Sequence, residues 1–264
     1  MALDDRRDIP TARRVVVKVG SSSISGANAL RIAHIVDVLA AAYERGTEIV
    51  LVSSGAISTG MPLLGLDARP EDLATQQAVA AVGQNALIHR YQQSLDRFGI
   101  VAGQVLLTAG DLEHDETRAN AERALDRLLA LRTLPIVNEN DTVATSEIRF
   151  GDNDRLAALV AVLVRADVLI LLSDVDALYT KPPHEVGAEK IDYVTFGDDL
   201  DSVEFGEIGD AGVGTGGAVT KVAAAHLASA SGTAVLITAA ELVGDALSGA
   251  RIGTWFEPNP DRAA

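Results

Sequence analysis

Apolar residues along the chain fall into two patterns. Unbroken runs rich in Val, Ile and Leu occur at Val15–Val19, Ile49–Val52, Val101–Leu107, Leu134–Val137, Val168–Leu172 and Ala234–Ile237. Runs of this kind predict short strands buried on both faces. Between most of them lie segments of helical length, among them Leu30–Arg45, Asp72–Phe98 and Arg118–Leu131. The alternation predicts βαβ units, hence an α/β fold with a mainly parallel sheet covered on both faces.

One run needs dividing. Leu156–Leu172 approaches the length of a membrane span but carries Arg165 and Asp167. It reads better as a helix over Asp154–Arg165, a connection Arg165–Asp167 and a buried strand, with Asp152 or Asn153 as helix cap. Thr142–Phe150 alternates in polarity and predicts a hairpin flap. Asp198–Asp210 is acidic and weakly apolar and predicts a solvated surface excursion.

Composition narrows the class. The chain has 264 residues, 48% of them hydrophobic, enough to bury one large domain spanning 1–264. A formal charge of −15 disfavours a nucleic-acid partner, although a few local lysines still suffice to hold a small anion. With no cysteine, disulfides, thiolate nucleophiles and cysteine-held metals are excluded. The N-terminus Met1–Asp8 lacks an apolar signal core and no segment is a convincing membrane span, so the expected location is the cytoplasm.

In a parallel sheet the residues following each strand gather at one edge. Here Val15–Val19 leads into Gly20–Ser23, Ile49–Val52 into Ser53–Ala56, Ile136–Val137 into Asn138–Asp141, and Leu171–Leu172 into Ser173–Asp174. Lys18 lies inside the first strand, where lysine is costly unless it is paired or reaches a ligand. With Gly20–Ser23 behind it, it suits a loop whose N–H groups hold phosphate oxygens. A second glycine-rich element, Gly212–Gly217, precedes a helix bearing Lys221. None of the five histidines directly follows a strand, and Ser53-Ser54-Gly55 lacks a G-x-S-x-G frame. Two lysines, glycine loops, a helix start and several acids suit phosphoryl transfer, which needs positioning and charge stabilisation rather than a protein nucleophile.

The segments VVVKVGSSS, VSSGAISTG, AAVGQ, GQVLLT, IVNENDTVAT, EIRFGDND, LLSDVDALYT and GTGGAVTK together resemble the amino acid kinase family over nearly the whole chain. Within the family, NENDTVAT followed by FGDND resembles the members that act on free glutamate. The resemblance implies a three-layer α/β/α sandwich with glutamate on the N-terminal side and ATP on the C-terminal side, from about residue 168. It implies ATP-dependent phosphorylation of the γ-carboxylate of L-glutamate, the first step of proline biosynthesis, with Mg²⁺ arriving on ATP. Carried over by position, Lys18 and Lys221 would bracket the transferring phosphoryl group and Asp154 would hold both ammonium groups. Ser54, Asn138, Asp141, Arg149, Asp152 and Asn153 would face glutamate. Lys18, Ser173, Asp174, Thr215, Gly216, Gly217, Ala218, Val219, Thr220 and Lys221 would face ATP. Proline feedback inhibition and homo-oligomers are further implications.

This sequence departs from the common pattern at Arg149, Ser173 and Ala218-Val219, and it ends soon after Phe256, where longer members continue into a PUA domain. Rival readings are a kinase of this fold acting on N-acetylglutamate, aspartate, carbamate or a nucleotide monophosphate, and a catalytically silent nucleotide binder.

Overall fold

The computed structural model describes residues 3–24, 26–28, 31–144, 153–200, 203 and 217–262. Its elements run β1 (Arg14–Val19), α1 (Arg31–Glu44), β2 (Glu48–Val52), α2 (Ala56–Leu63), α3 (Leu73–Leu95), β3 (Ala102–Leu107), α4 (Ala109–Glu113), α5 (Asp115–Ala130), β4 (Leu134–Glu139), α6 (Asn153–Leu163), β5 (Val168–Ser173), β6 (Leu178–Tyr179), β7 (Lys190–Ile191), β8 (Tyr193–Val194), α7 (Ala218–Ala230), β9 (Ala234–Ala239), α8 (Val243–Leu247) and β10 (Thr254–Phe256). A 3-10 helix over Arg6–Thr11 precedes them.

The main sheet has the order β3-β4-β2-β1-β5-β9-β10-β8. The six strands from β3 to β9 are mutually parallel, while β10 runs antiparallel to β9. From β1 the chain builds outward through β2 on one side and later through β5 on the other. The strand order therefore reverses beside β1, the position where open α/β sheets place their ligands.

Side-chain alternation sorts the core into two layers. Val15, Val17 and Val19 join Ile49, Leu51, Ile136 and Ile170 under α1, α3 and α8. Val16 joins Val50, Val52, Val137, Leu169 and Leu171 under α5, α6 and α7. Lys18 shares the parity of Val16, which directs it toward α6 and α7.

The predicted strands all form. Val101 falls outside β3 and is exposed. The divided run also holds, with α6 ending at Leu163 and Arg165 at a positive φ of 52° in the connection. Among the described residues no helix is long and apolar enough to cross a membrane. Two expectations need correction. Asn153 is the first residue of α6 and spends its side chain on other strands, so it is no cap, and Asp152 lies outside the described residues. The excursion at Asp198–Asp210 is not wholly solvated, because Leu200 is buried and Val203 packs on the same core. Of the predicted flap, Thr142–Ala144 is described, and only as a turn; the remainder lies outside.

Helix α2 has no apolar run to announce it, because it is set by contact. It crosses α3 so closely that a Cβ on Gly60 would sit 2.1 Å from the Val79 carbonyl oxygen, and one on Gly83 1.8 Å from that of Ala56. Glycine at both positions lets the backbones meet, tying the start of α2, just after Ser53-Ser54, to the middle of α3.

Candidate active site

At the C-terminal end of β1, Lys18 is 4% exposed and flanked by Val52 of β2 and Leu171 of β5. Its Nζ lies 2.5 Å from Oδ1 of Asp154, in the first turn of α6. The other oxygen, Oδ2, meets Lys221 Nζ at 3.1 Å and the Thr220 hydroxyl at 2.9 Å, both from the first turn of α7. Burial would raise the Asp154 carboxyl, but the charges of Lys18 and Lys221 outweigh it and hold the group well below the usual carboxylate range. The triad therefore carries a net positive charge. Lys18 Nζ also leans over the Gly20 loop, 3.8 Å from where a Gly20 Cβ would stand.

Beside the triad runs a chain of buried polar groups. Asn153 Nδ2 lies 2.9 Å from Ser54 Oγ, 3.0 Å from the Ser53 carbonyl and 3.1 Å from Asn138 Oδ1. Asn138 donates from Nδ2 to Gln84 Oε1 at 3.1 Å, and Gln84 Nε2 points at the Glu139 carbonyl and at Asp141 Oδ2, 3.1 and 3.4 Å away. Four of the residues assigned to the acceptor substrate, Ser54, Asn138, Asp141 and Asn153, thus lie along one network. Among the described residues, Asn153 Oδ1 is buried with no hydrogen-bond partner. A cleft of about 280 Å³ opens beside Gln84, Asn85, Gln104, Asn140 and Asp141. Burial pushes the Asp141 carboxyl up to about 6 against the opposing pull of Gln84 and Arg69.

The other flank suits a nucleotide. Ser173 ends β5 and Asp174 follows it, with the Ser173 hydroxyl 3.1 Å from the Asp174 carboxylate. Helix α7 starts after Gly217 with no side-chain cap, and Ala218 and Val219 are exposed in its first turn. Uncapped N–H groups at a helix start favour phosphate oxygens. Arg149, Asp152, Thr215 and Gly216 lie outside the described residues.

One participant was assigned differently from the sequence and one not at all. Thr220 was placed with ATP, yet its hydroxyl is within reach of Asp154. Gln84 received no role, although a polar residue beside Ala80, Ala81 and Gly83 on a helix was the available signal.

The amino acid kinase family model matches residues 13–239. The chain is 69% identical over 258 residues to a glutamate 5-kinase of Clavibacter sepedonicus, covering 98% of this chain and 99% of that protein. It is 67% identical to one from Leifsonia xyli over 263 residues, covering 100% and 97%. Against a glutamate 5-kinase of Streptomyces avermitilis identity is 55%, and the match spans 98% of this chain but 70% of that longer protein. Among solved structures, a Giardia lamblia carbamate kinase bound to AMP-PNP superposes with a TM-score of 0.67 at 16% identity, covering 95% of this chain and all of that one, a likeness of fold.

Proposed function

The chain belongs to the amino acid kinase family, and we propose that Lys18, Asp154 and Lys221 form its reaction centre. The activity is that of a glutamate 5-kinase: ATP phosphorylates the γ-carboxylate of L-glutamate, giving γ-glutamyl phosphate and ADP at the entry to proline biosynthesis. A γ-carboxylate oxygen forms a bond to the γ-phosphorus while the bond from that phosphorus to the β,γ-bridging oxygen breaks, its electron pair leaving with ADP. No proton moves, so no general base is required, and catalysis rests on alignment and charge.

One observation carries this assignment: two buried ammonium groups held on opposite oxygens of a single carboxylate where the strand order reverses. Asp154 keeps Lys18 and Lys221 aimed at one small volume, where they stabilise negative charge growing on the transferring group. Ser54, Asn138, Asp141 and Asn153 hold the amino-acid end of glutamate, and Arg149 and Asp152 belong with them by position. Ser173, Asp174 and the stretch Thr215–Lys221 take ATP. The described residues offer no group of three or more His, Asp or Glu suited to a metal. On the kinase reading Mg²⁺ would arrive with ATP, with oxygen ligands from phosphates and water, neutralising phosphate charge when bound.

Residues 1–264 act as one domain, cytoplasmic and self-associating. The acceptors near Asp141 would also suit proline, whose ammonium and carboxylate resemble the same end of glutamate.

The substrate reading predicts Mg²⁺-dependent ADP release and a hydroxylamine-trappable acyl phosphate with L-glutamate. L-aspartate, one methylene shorter, gives much less, and N-acetylglutamate, lacking the ammonium, almost none. Equal turnover of N-acetylglutamate would overturn it.

A further inference from the structure

The direction of every amide in the buried network is fixed by backbone groups that cannot rotate. Asn138 Oδ1 accepts from the N–H of Glu139 at 2.9 Å, so its Nδ2 must face Gln84. Gln84 then presents Oε1 to Asn138, and its Nε2 to the Glu139 carbonyl and to Asp141. At the other end, Asn153 Nδ2 is committed to the Ser53 carbonyl and Asn138 Oδ1, both acceptors, because a flipped amide would bring oxygen against oxygen. Its Oδ1 is left buried with no partner among the described residues. An unpartnered buried acceptor costs free energy unless a ligand donor meets it.

We propose that Gln84 is the positioning residue of this network, bracing Asn138 and the Asp141 carboxylate so that the acceptor substrate meets Asp141 at a fixed place beside the cleft. A carboxylate held in a fixed direction selects an ammonium group. Gln84 acts through its neighbours: it is 8% exposed, anchored on α3 where Gly83 touches α2, and is the only described side chain bonded to both Asn138 and Asp141. Were its Nε2 absent, Asp141 would be free to turn. Were its Oε1 absent, Asn138 Nδ2 would lose this hydrogen bond and its amide would be held from the Glu139 N–H alone, at one end.

This inference rests on the glutamate kinase reading, and its test separates the two. Glutarate is glutamate without the ammonium group, keeping both carboxylates. In the 264-residue chain, Gln84→Leu is expected to raise KM for L-glutamate about tenfold or more, leave KM for ATP unchanged and lower kcat only a few fold. Discrimination between L-glutamate and glutarate, measured as the ratio of kcat/KM values, should shrink at least tenfold. Gln84→Glu, which keeps the length but turns a repelling carboxylate on Asp141, should do the same and covers the case that the leucine variant folds poorly. Unchanged discrimination in a folded variant, or a loss confined to kcat, would overturn the role of Gln84. Failure of the unaltered protein to phosphorylate L-glutamate would instead overturn the substrate reading.

Discussion

Lys18 and Lys221 sit on opposite oxygens of one buried carboxylate, 2.5 Å from Asp154 Oδ1 and 3.1 Å from Oδ2. One ammonium comes from the strand at the centre of the sheet and the other from the helix that precedes β9, so the folded sheet, not local sequence, brings them together. Their separation in the chain makes each a separate test of the reaction centre.

Replacing either lysine by methionine removes charge while keeping much of the volume. If both ammonium groups act on the phosphoryl group in transit, kcat falls by about 10²–10³ for each variant, the usual loss for one such donor. Binding of L-glutamate, measured by calorimetry, should change little. A folded variant that keeps near-normal turnover takes that lysine out of the mechanism.

Asp154→Asn leaves two buried ammonium groups facing each other without a counter-charge. Breaking a buried ion pair costs about 3–5 kcal/mol, or roughly 6–20 °C in Tm at 2–4 °C per kcal/mol. The sign with pH follows from the depressed folded-state pKa of Asp154. Its contribution is fully present above the ordinary carboxylate range and is lost as pH falls through the lower folded value. The gap in Tm between the two proteins should therefore be wide at pH 7 and close only in strong acid. A gap independent of pH would mean that packing, not charge, is responsible.

Gly83→Ala tests the α2–α3 crossing. The added methyl would stand 1.8 Å from the Ala56 carbonyl oxygen, so the helices must separate. Overpacking of this kind costs about 1–3 kcal/mol, to be read from chemical denaturation. Because Gln84 and the Ser53-Ser54 turn ride on the two helices, KM for L-glutamate should rise as well. Stability lost with KM unchanged would uncouple the crossing from the site.

The strands and long helices were legible because buried parallel strands leave unbroken apolar runs and Lys18 interrupts one of them. The gathering of Lys18, Asn138 and Ser173 at one edge was legible too, since it follows from parallel topology alone. Helix α2 was not. Its sequence, Ala56–Leu63, contains Gly60 and Pro62, and its stability comes from contact with α3, which no local pattern records. The antiparallel β10 and its neighbour β8 were missed for a related reason: strands this short carry too few residues for a period to show. Of the two residues offered as the cap, Asp152 lies outside the described residues and Asn153 fits a cap by type and position, yet its side chain reaches Ser53, a hundred positions earlier in the chain.

Asp141 should show stability sacrificed for binding. Burial raises its carboxyl to about 6, so ionising it at neutral pH works against folding. A carboxyl with a raised folded-state pKa contributes stability below its unfolded value near 4, and that contribution is lost as pH climbs through 6. Asp141→Asn stays neutral at every pH. The variant should therefore melt at a higher temperature than the unaltered protein at pH 7.5 and show little difference at pH 4. If Asp141 meets the ammonium of L-glutamate, binding reverses the order, because that charge compensates the ionised carboxylate and cannot do so for an amide. Saturating L-glutamate should thus raise the Tm of the unaltered protein at pH 7.5 far more than that of the variant, and kcat/KM should lose its fall below about pH 6 in the variant. Equal stabilisation of both proteins by L-glutamate would show that Asp141 does not meet the ammonium.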